Sequence, residues 1–321
     1  MQAVTHQRYG SFDGLAFRTL DKPIAKENEV LIKVHAAGLH VGDVFAVRGA
    51  PFVMRFSTGL FKPKPGIPGF DVAGVVEAVG KTVIHFLPGD RVFGAGFGTC
   101  AEYVCVAEKT LSTIPEGVTF EDAAATPTSG LAALHALRDV IRLQPGQSIL
   151  VNGASGGVGS FAVQIAHSMG AVVTGVCSTK NVDAVRGLGA DHVIDYTQTD
   201  FADGSQQYDA IFDNIENRPL AEVRRALSPT GTLVVNSGTG ASGLAMMTRL
   251  LKPLLISPFV RQNLRRYLSV ANGPDLAVLG EMISTSALKP VIGKSYPVKE
   301  TAAALSHIAT GRAVGKVVVT M

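Results

Sequence analysis

At 321 residues the chain is longer than one hydrophobic core usually supports, so two domains are expected; 46% apolar and 17% charged residues, with 35 glycines and no tryptophan, describe a turn-rich globular protein and exclude disorder. A formal charge of +3 is too small for nucleic-acid binding, which needs a clustered basic face. Three cysteines, Cys100, Cys105 and Cys177, disfavour a disulfide framework and cannot build a four-cysteine zinc site, and with no apolar signal core and no run of ~18 apolar residues a cytoplasmic location is expected.

In chain order, 30–36 (VLIKVHA) and 72–79 (VAGVVEAV) read as strands, and the turn Gly89-Asp90-Arg91-Val92 leads into another. Between them 51–68 holds Phe52, Phe56, Phe61 and a Pro-rich run, an irregular loop of the length that often borders sites. From Glu121 to 141 alanine and leucine recur at helical spacing, and Pro145-Gly146 makes a turn. Strands and helices then alternate: strand 148–152, helix 160–169, strand 172–176, helix 182–188, strands 192–195 and 210–214. Alternation of this kind implies parallel βαβ units, so a β-rich first domain and an α/β second domain are expected. The last strand, 315–321, is assigned to neither by pattern.

Strand 148–152 runs into a glycine-rich turn and then a helix. Ala154, Gly156 and Gly159 form A-x-G-x-x-G, in which small residues permit the tight turn, the approach of a pyrophosphate to backbone amides, and close helix packing. The expected cradle is therefore Ala154, Ser155, Gly156, Gly157, Val158 and Gly159. An NAD-binding chain usually places an acid at the end of the next strand. Here stand Val176-Cys177-Ser178-Thr179-Lys180-Asn181, with no acid to repel a 2′-phosphate, while Ser178, Thr179 and Lys180 suit one, so NADPH is the expected cofactor. A polar turn with Asn181 capping a helix is compatible with this. Tyr196 stands either beside the same ribose or on the surface.

Motifs along nearly the whole chain carry a resemblance: Ala37-Gly38-Leu39-His40, Pro68-Gly69-Phe70-Asp71-Val72-Ala73-Gly74, Pro88-Gly89-Asp90-Arg91-Val92, Ala101-Glu102-Tyr103-Val104, the glycine-rich turn, Gly189-Ala190-Asp191 and Gly315-Lys316-Val317-Val318. They resemble the medium-chain dehydrogenase/reductase superfamily, in the zinc-free quinone oxidoreductase (zeta-crystallin-like) branch. The resemblance implies an α/β protein with a GroES-like β-rich catalytic domain at 1–121, completed by a return of 286–321, and a Rossmann doubly wound parallel-sheet domain at 122–285. It implies a cleft between domains where nicotinamide meets substrate, a homodimer, and hydride transfer to a quinone or an α,β-unsaturated carbonyl. A non-catalytic NADPH-binding structural or regulatory protein, and a zinc-free alcohol dehydrogenase-like reductase, stay open as alternatives.

Zinc-dependent relatives carry Cys where this chain has His40, and His-Glu where it has Phe70-Asp71; no cysteine-rich lobe follows Arg91, so no metal is expected. Catalysis then rests on positioning and on a hydrogen bond to the oxygen that gains charge. His40 is the candidate donor or proton source, with packing against its loop as the alternative, and Asp43 reads as structural. The resemblance also points to Thr128 near the nicotinamide ribose, Asn236 and Ser237 near the carboxamide, and Lys316 at the cofactor phosphates or merely flanking a strand. Arg48 and the Phe52–Phe61 loop line a substrate mouth or pack ordinarily. Residues 243–269 mix leucine and methionine with arginine; Pro253 and Pro258 favour an inserted cap packed on the protein over a subunit contact, a cover for a lipophilic acceptor, or an anionic-membrane contact.

Overall fold

The computed structural model describes residues 1–321 apart from 53, 54, 65 and 237–255. The chain divides into two units, Met1–Leu131 with Val270–Met321, and Ala132–Ser269.

The first unit opens with a hairpin of β1 (Gln2–Thr5) and β2 (Ala16–Thr19). There follow β3 (Glu29–Leu39), α1 (Val41–Arg48), α2 (Arg55–Thr58), β4 (Asp71–Val79), β5 (Arg91–Ala95), β6 (Tyr103–Ala107), β7 (Leu111–Thr113), α3 (Phe120–Ala125) and α4 (Pro127–Leu134), the last running across the boundary. β3 is rich in β-branched residues and buried along both faces. Val30, Ile32 and Val34 pack with Val72, Val76, Val92, Val104 and Val106. Further along, Ala37 and Leu39 pack with Val44, Val47 and Leu305. Each of the valine, leucine and isoleucine side chains among them contributes about 1.5–3 kcal/mol by leaving water.

The second unit holds β8 (Ser148–Asn152), α5 (Gly157–Ser168), β9 (Val172–Cys177), α6 (Val182–Gly187), β10 (His192–Asp195), β11 (Tyr208–Asp213), α7 (Leu220–Val223), β12 (Leu227–Val235) and β13 (Asn263–Arg265). Its strands are all parallel, in the order β10-β9-β8-β11-β12-β13. That is the doubly wound order 3-2-1-4-5-6, whose direction of winding reverses between β8 and β11, the place where such sheets bind ligands.

The chain then returns to the first unit as α8 (Gly273–Ser284), β14 (Ile292–Pro297), α9 (Thr301–Ala309) and β15 (Lys316–Thr320). β15 pairs antiparallel with β3 and parallel with β14, so the first unit's larger sheet runs β14-β15-β3-β4-β5-β7, with β6 on the other part of β3. The final strand therefore joins the first unit, as the resemblance implies.

Both expected boundaries move. The first lies at 131 and not 121, because α3 lies directly on β3: a Cβ on Gly38 would collide with the Ala124 carbonyl, and Ala123, Ala124 and Ala125 are buried. The return begins at 270 and not 286, because α8 packs on β7 and buries Leu276 and Leu279. The helical run 121–141 is broken into α3, α4 and a π-helical turn ended by Arg142 at φ 58°. The helix expected at 160–169 starts at Gly157, since Gly157, Val158 and Gly159 wind as its first turn. Among the described residues no helix is long and apolar enough to cross a membrane.

Candidate active site

The glycine-rich turn is bound to the neighbouring strand: Gly153, at φ 81°, and Ala154 both donate to the Val176 carbonyl, at 3.2 and 3.0 Å. Gly156 N–H closes the turn on the Gly153 carbonyl at 3.0 Å. A Cβ on Gly159 would collide with the same carbonyl, which is why helix and turn approach so closely only with glycine there. Ala154 is fully buried facing Gly175, where a Cβ would come within 3.0 Å of its methyl. The twelve-residue α5 has Gly156 as N-cap, with no side chain capping its amides. The first-turn N–H groups of α5, with about half a positive charge at the helix start, form a donor set that fits a pyrophosphate. Ser155 Oγ accepts from Asn181 Nδ2 at 3.0 Å, so Asn181 ties this turn to the end of β9 and does not cap α6 through its side chain.

Ser178 is the N-cap of a 3-10 turn over Thr179–Asn181, and Lys180 is exposed, without an ion pair among the described residues. Sheet register then corrects the sequence reading that no acid is near. Asp195, the last residue of β10, pairs with Cys177 across the sheet. Thr179 Oγ1 donates to Asp195 Oδ2 at 2.6 Å, and Thr197 (2.8 Å) and Gln198 (2.9 Å) donate to the same carboxylate. These bonds, Thr179's first, hold the Asp195 carboxyl below the usual range. Tyr196 is 52% exposed, and its N–H donates to the Cys177 carbonyl at 3.0 Å, so it sits at the expected strand end.

At the reversal point Asn152 Nδ2 donates to Asp213 Oδ1 at 2.8 Å, and that oxygen also takes the N–H groups of Ile215 and Glu216. Asn236 Nδ2 donates to Asn214 Oδ1 at 2.9 Å, which leaves the Asn236 amide oxygen as an acceptor. Sequence reading did not single out Asn152, Asp213 or Asn214; their position at the C-terminal ends of β8 and β11 was the available signal. Ser237 lies outside the described residues, as does much of 243–269.

In the first unit, Lys316 is corrected. Its side chain is 1% exposed and its ammonium lies 3.3 Å from Asp71 Oδ2 and 3.1 Å from Ser129 Oγ, so it is neither a strand-flanking surface lysine nor available to cofactor phosphates. Asp71 Oδ1 accepts from both the N–H (3.0 Å) and the hydroxyl (2.5 Å) of Thr128. With that proton engaged, the Thr128 oxygen is left only as an acceptor. Asp43, also fully buried, accepts from His40 N–H at 2.8 Å and Gly69 N–H at 3.0 Å, the structural role read from sequence, and burial pushes its carboxyl up.

His40 caps α1. Gly42 N–H donates to its Nδ1 at 2.9 Å, while Asp43 returns the bond to the His40 N–H, a reciprocal capping box. Asp43 Oδ2 also lies 3.7 Å from Nδ1, but the shorter Gly42 bond needs the Nδ1 lone pair, so the ring proton resides on Nε2. Nε2 is buried and has no hydrogen-bond partner among the described residues. The ring stacks on Phe70 (centroids 5.3 Å apart), which meets Phe97 edge-on (4.9 Å). Phe70 and Phe97 also line, with His6, Thr58, Lys64 and Ile67, a small cavity of about 20 Å³. Among the described residues no three His, Cys, Asp or Glu side chains are grouped to hold a metal ion. Arg48 lies over the Phe12 ring (4.9 Å), whereas Phe52, Phe56 and Phe61 are exposed.

Residues 26–116 match the family model for the alcohol dehydrogenase GroES-like domain, and 188–319 that for zinc-binding dehydrogenases. The chain is 34% identical to a 2-methylene-furan-3-one reductase of Solanum lycopersicum, across 99% of this chain and 79% of that protein. It is 33% identical, over the same shares, to an NADPH-dependent alkenal/one oxidoreductase of Arabidopsis thaliana. Its fold matches the solved quinone oxidoreductase of Coxiella burnetii with a TM-score of 0.86 and 28% identity, covering 100% of this chain and 99% of that one. An uncapped helix start beyond an A-x-G-x-x-G turn, on a sheet wound 3-2-1-4-5-6, agrees with these likenesses. The chain belongs to the medium-chain dehydrogenase/reductase superfamily, in its quinone oxidoreductase-like branch, and is a pyridine-nucleotide-dependent oxidoreductase.

Proposed function

We propose that the enzyme uses NADPH to reduce a quinone or the conjugated double bond of an enone, without a metal, and that it works as a homodimer. The observation that carries this reading is the buried Nε2–H of His40 without a partner. Leaving such a donor unpaired costs about 1–3 kcal/mol, so its retention against the Phe70 ring suits a ligand that brings an oxygen acceptor. A carbonyl or quinone oxygen does so, and its demand for a hydrogen bond grows as it gains charge. Phe70 and Phe97 suit the flat, apolar body of such an acceptor. The metal-free part rests on side chains: His40 Nδ1 is occupied by a backbone N–H, Phe70 offers no lone pair, and Asp71 is held by Thr128 and Lys316.

When bound, NADPH supplies the hydride. The α5 amides and Ser155 hold its pyrophosphate, Ser178 and Lys180 its 2′-phosphate, with Tyr196 beside them, and the Asn236 oxygen accepts from its carboxamide. The name of the Arabidopsis relative agrees with NADPH as donor.

Steady-state kinetics of His40 variants test the assignment. His40→Ala should lower kcat/KM about a hundredfold, the size of a lost oxyanion donor. His40→Asn should restore it to within about tenfold, because Asn caps a helix through its oxygen and keeps an N–H to donate. Unchanged turnover in His40→Ala would reduce His40 to a helix cap.

A further inference from the structure

From 223 to 274 the sequence contains seven Lys or Arg and no Asp or Glu. Three of these cations, Arg224, Arg225 and Arg261, line one open depression of about 330 Å³ in the second unit, together with Ala221, Pro229 and Gln262. They do not meet by chance packing of loose side chains. Gln262 is locked by its Nε2, which donates to the carbonyls of Arg224 (2.9 Å), Leu227 (3.0 Å) and Ser228 (3.3 Å). Its Oε1 in turn accepts from Arg224 Nε at 2.8 Å. That bond takes the inner nitrogen of the guanidinium and leaves the two terminal nitrogens, the pair that grips phosphate oxygens. Among the described residues none of the three arginines has a carboxylate partner, and Glu222, three positions before Arg225, forms no ion pair with it. The neighbouring stretch 237–255 contains no acid that could supply one. Three like charges around one depression repel each other unless an anion joins them.

We infer that this depression binds a phosphate group, as a second anion site separate from the glycine-rich turn. The ligand is a phosphoryl dianion, carried either by a soluble phosphate ester or by a lipid headgroup. Arg224, oriented by Gln262, holds two of its oxygens, and the exposed Arg225 and Arg261 neutralise the charge.

Calorimetric titration of the whole protein with inorganic pyrophosphate, after saturation with NADP+, tests this. Binding should persist in the saturated protein, weaken at least tenfold in Arg225→Gln/Arg261→Gln, and be unchanged in Lys180→Ala. Both arginines are exposed, so the double variant should fold normally. If NADP+ itself does not bind, the loss in the arginine double variant still assigns pyrophosphate to this depression, because none of its residues belongs to the glycine-rich turn. Absence of pyrophosphate binding, or equal binding in the arginine double variant, would overturn the site. Sedimentation with phosphatidylcholine vesicles, with and without phosphatidic acid, assigns the source. Arginine-dependent pelleting supports a headgroup; pyrophosphate binding without pelleting supports a soluble ester.

Discussion

A lysine side chain that is 1% exposed persists only beside a carboxylate, and Asp71 meets Lys316 from 245 positions away in sequence. Removing one member of a buried pair strands the other, at about 3–5 kcal/mol. Lys316→Met should therefore lower stability in urea by about that amount, and Lys316→Met/Asp71→Leu should recover much of it; an additive double variant would contradict the pairing. Asp195 makes a second residue-scale prediction. Its carboxylate stands beside Thr179, in the segment assigned to the 2′-phosphate, and opposes that charge. Asp195→Asn should raise the ratio of NADPH to NADH kcat/KM severalfold, and Lys180→Ala should lower it. A ratio that moves in neither variant would remove the pocket from this segment. The sequence reading sought an acid only at the end of β9 and took Tyr196 alone from the end of β10, whereas register brings Asp195, the residue before Tyr196, alongside Cys177.

At the scale of elements, the most legible part is the unit β8–turn–α5, because strand, glycine spacing and helix are contiguous and each needs its residue type locally. Gly159→Ala puts a methyl against the Gly153 carbonyl, so α5 must shift. The variant should fold with reduced stability and bind NADPH at least tenfold more weakly; wild-type affinity would mean the close approach of α5 is not what holds the cofactor. Helix ends were less legible. α1 begins at a histidine, a rare cap, and only the structure pairs the His40 ring with Gly42 and the Asp43 carboxylate with the His40 amide. Likewise α3 and α8 carry helical patterns that do not announce which sheet they cover, and contact with β3 and β7 places both in the first unit.

At the scale of the whole molecule, the order of a β-rich unit, a doubly wound unit and a returning strand was readable because its motifs recur along nearly all the chain. What pattern left open was set by long-range pairing: β15 lies between β14 and β3, and neither neighbour can be inferred from GKVVVTM alone. The sequence basis of the metal-free proposal also sits at single positions, since His40 and Phe70 stand where the resemblance places metal ligands. Metal-independent reduction driven by NADPH is tested by following oxidation of NADPH by the purified enzyme with a panel of enones and quinones, before and after exhaustive treatment with a zinc chelator. Turnover with at least one acceptor is expected, at a rate the chelator does not change. Turnover that disappears on chelation and returns with zinc, or NADPH that binds without being oxidised across the panel, would contradict it.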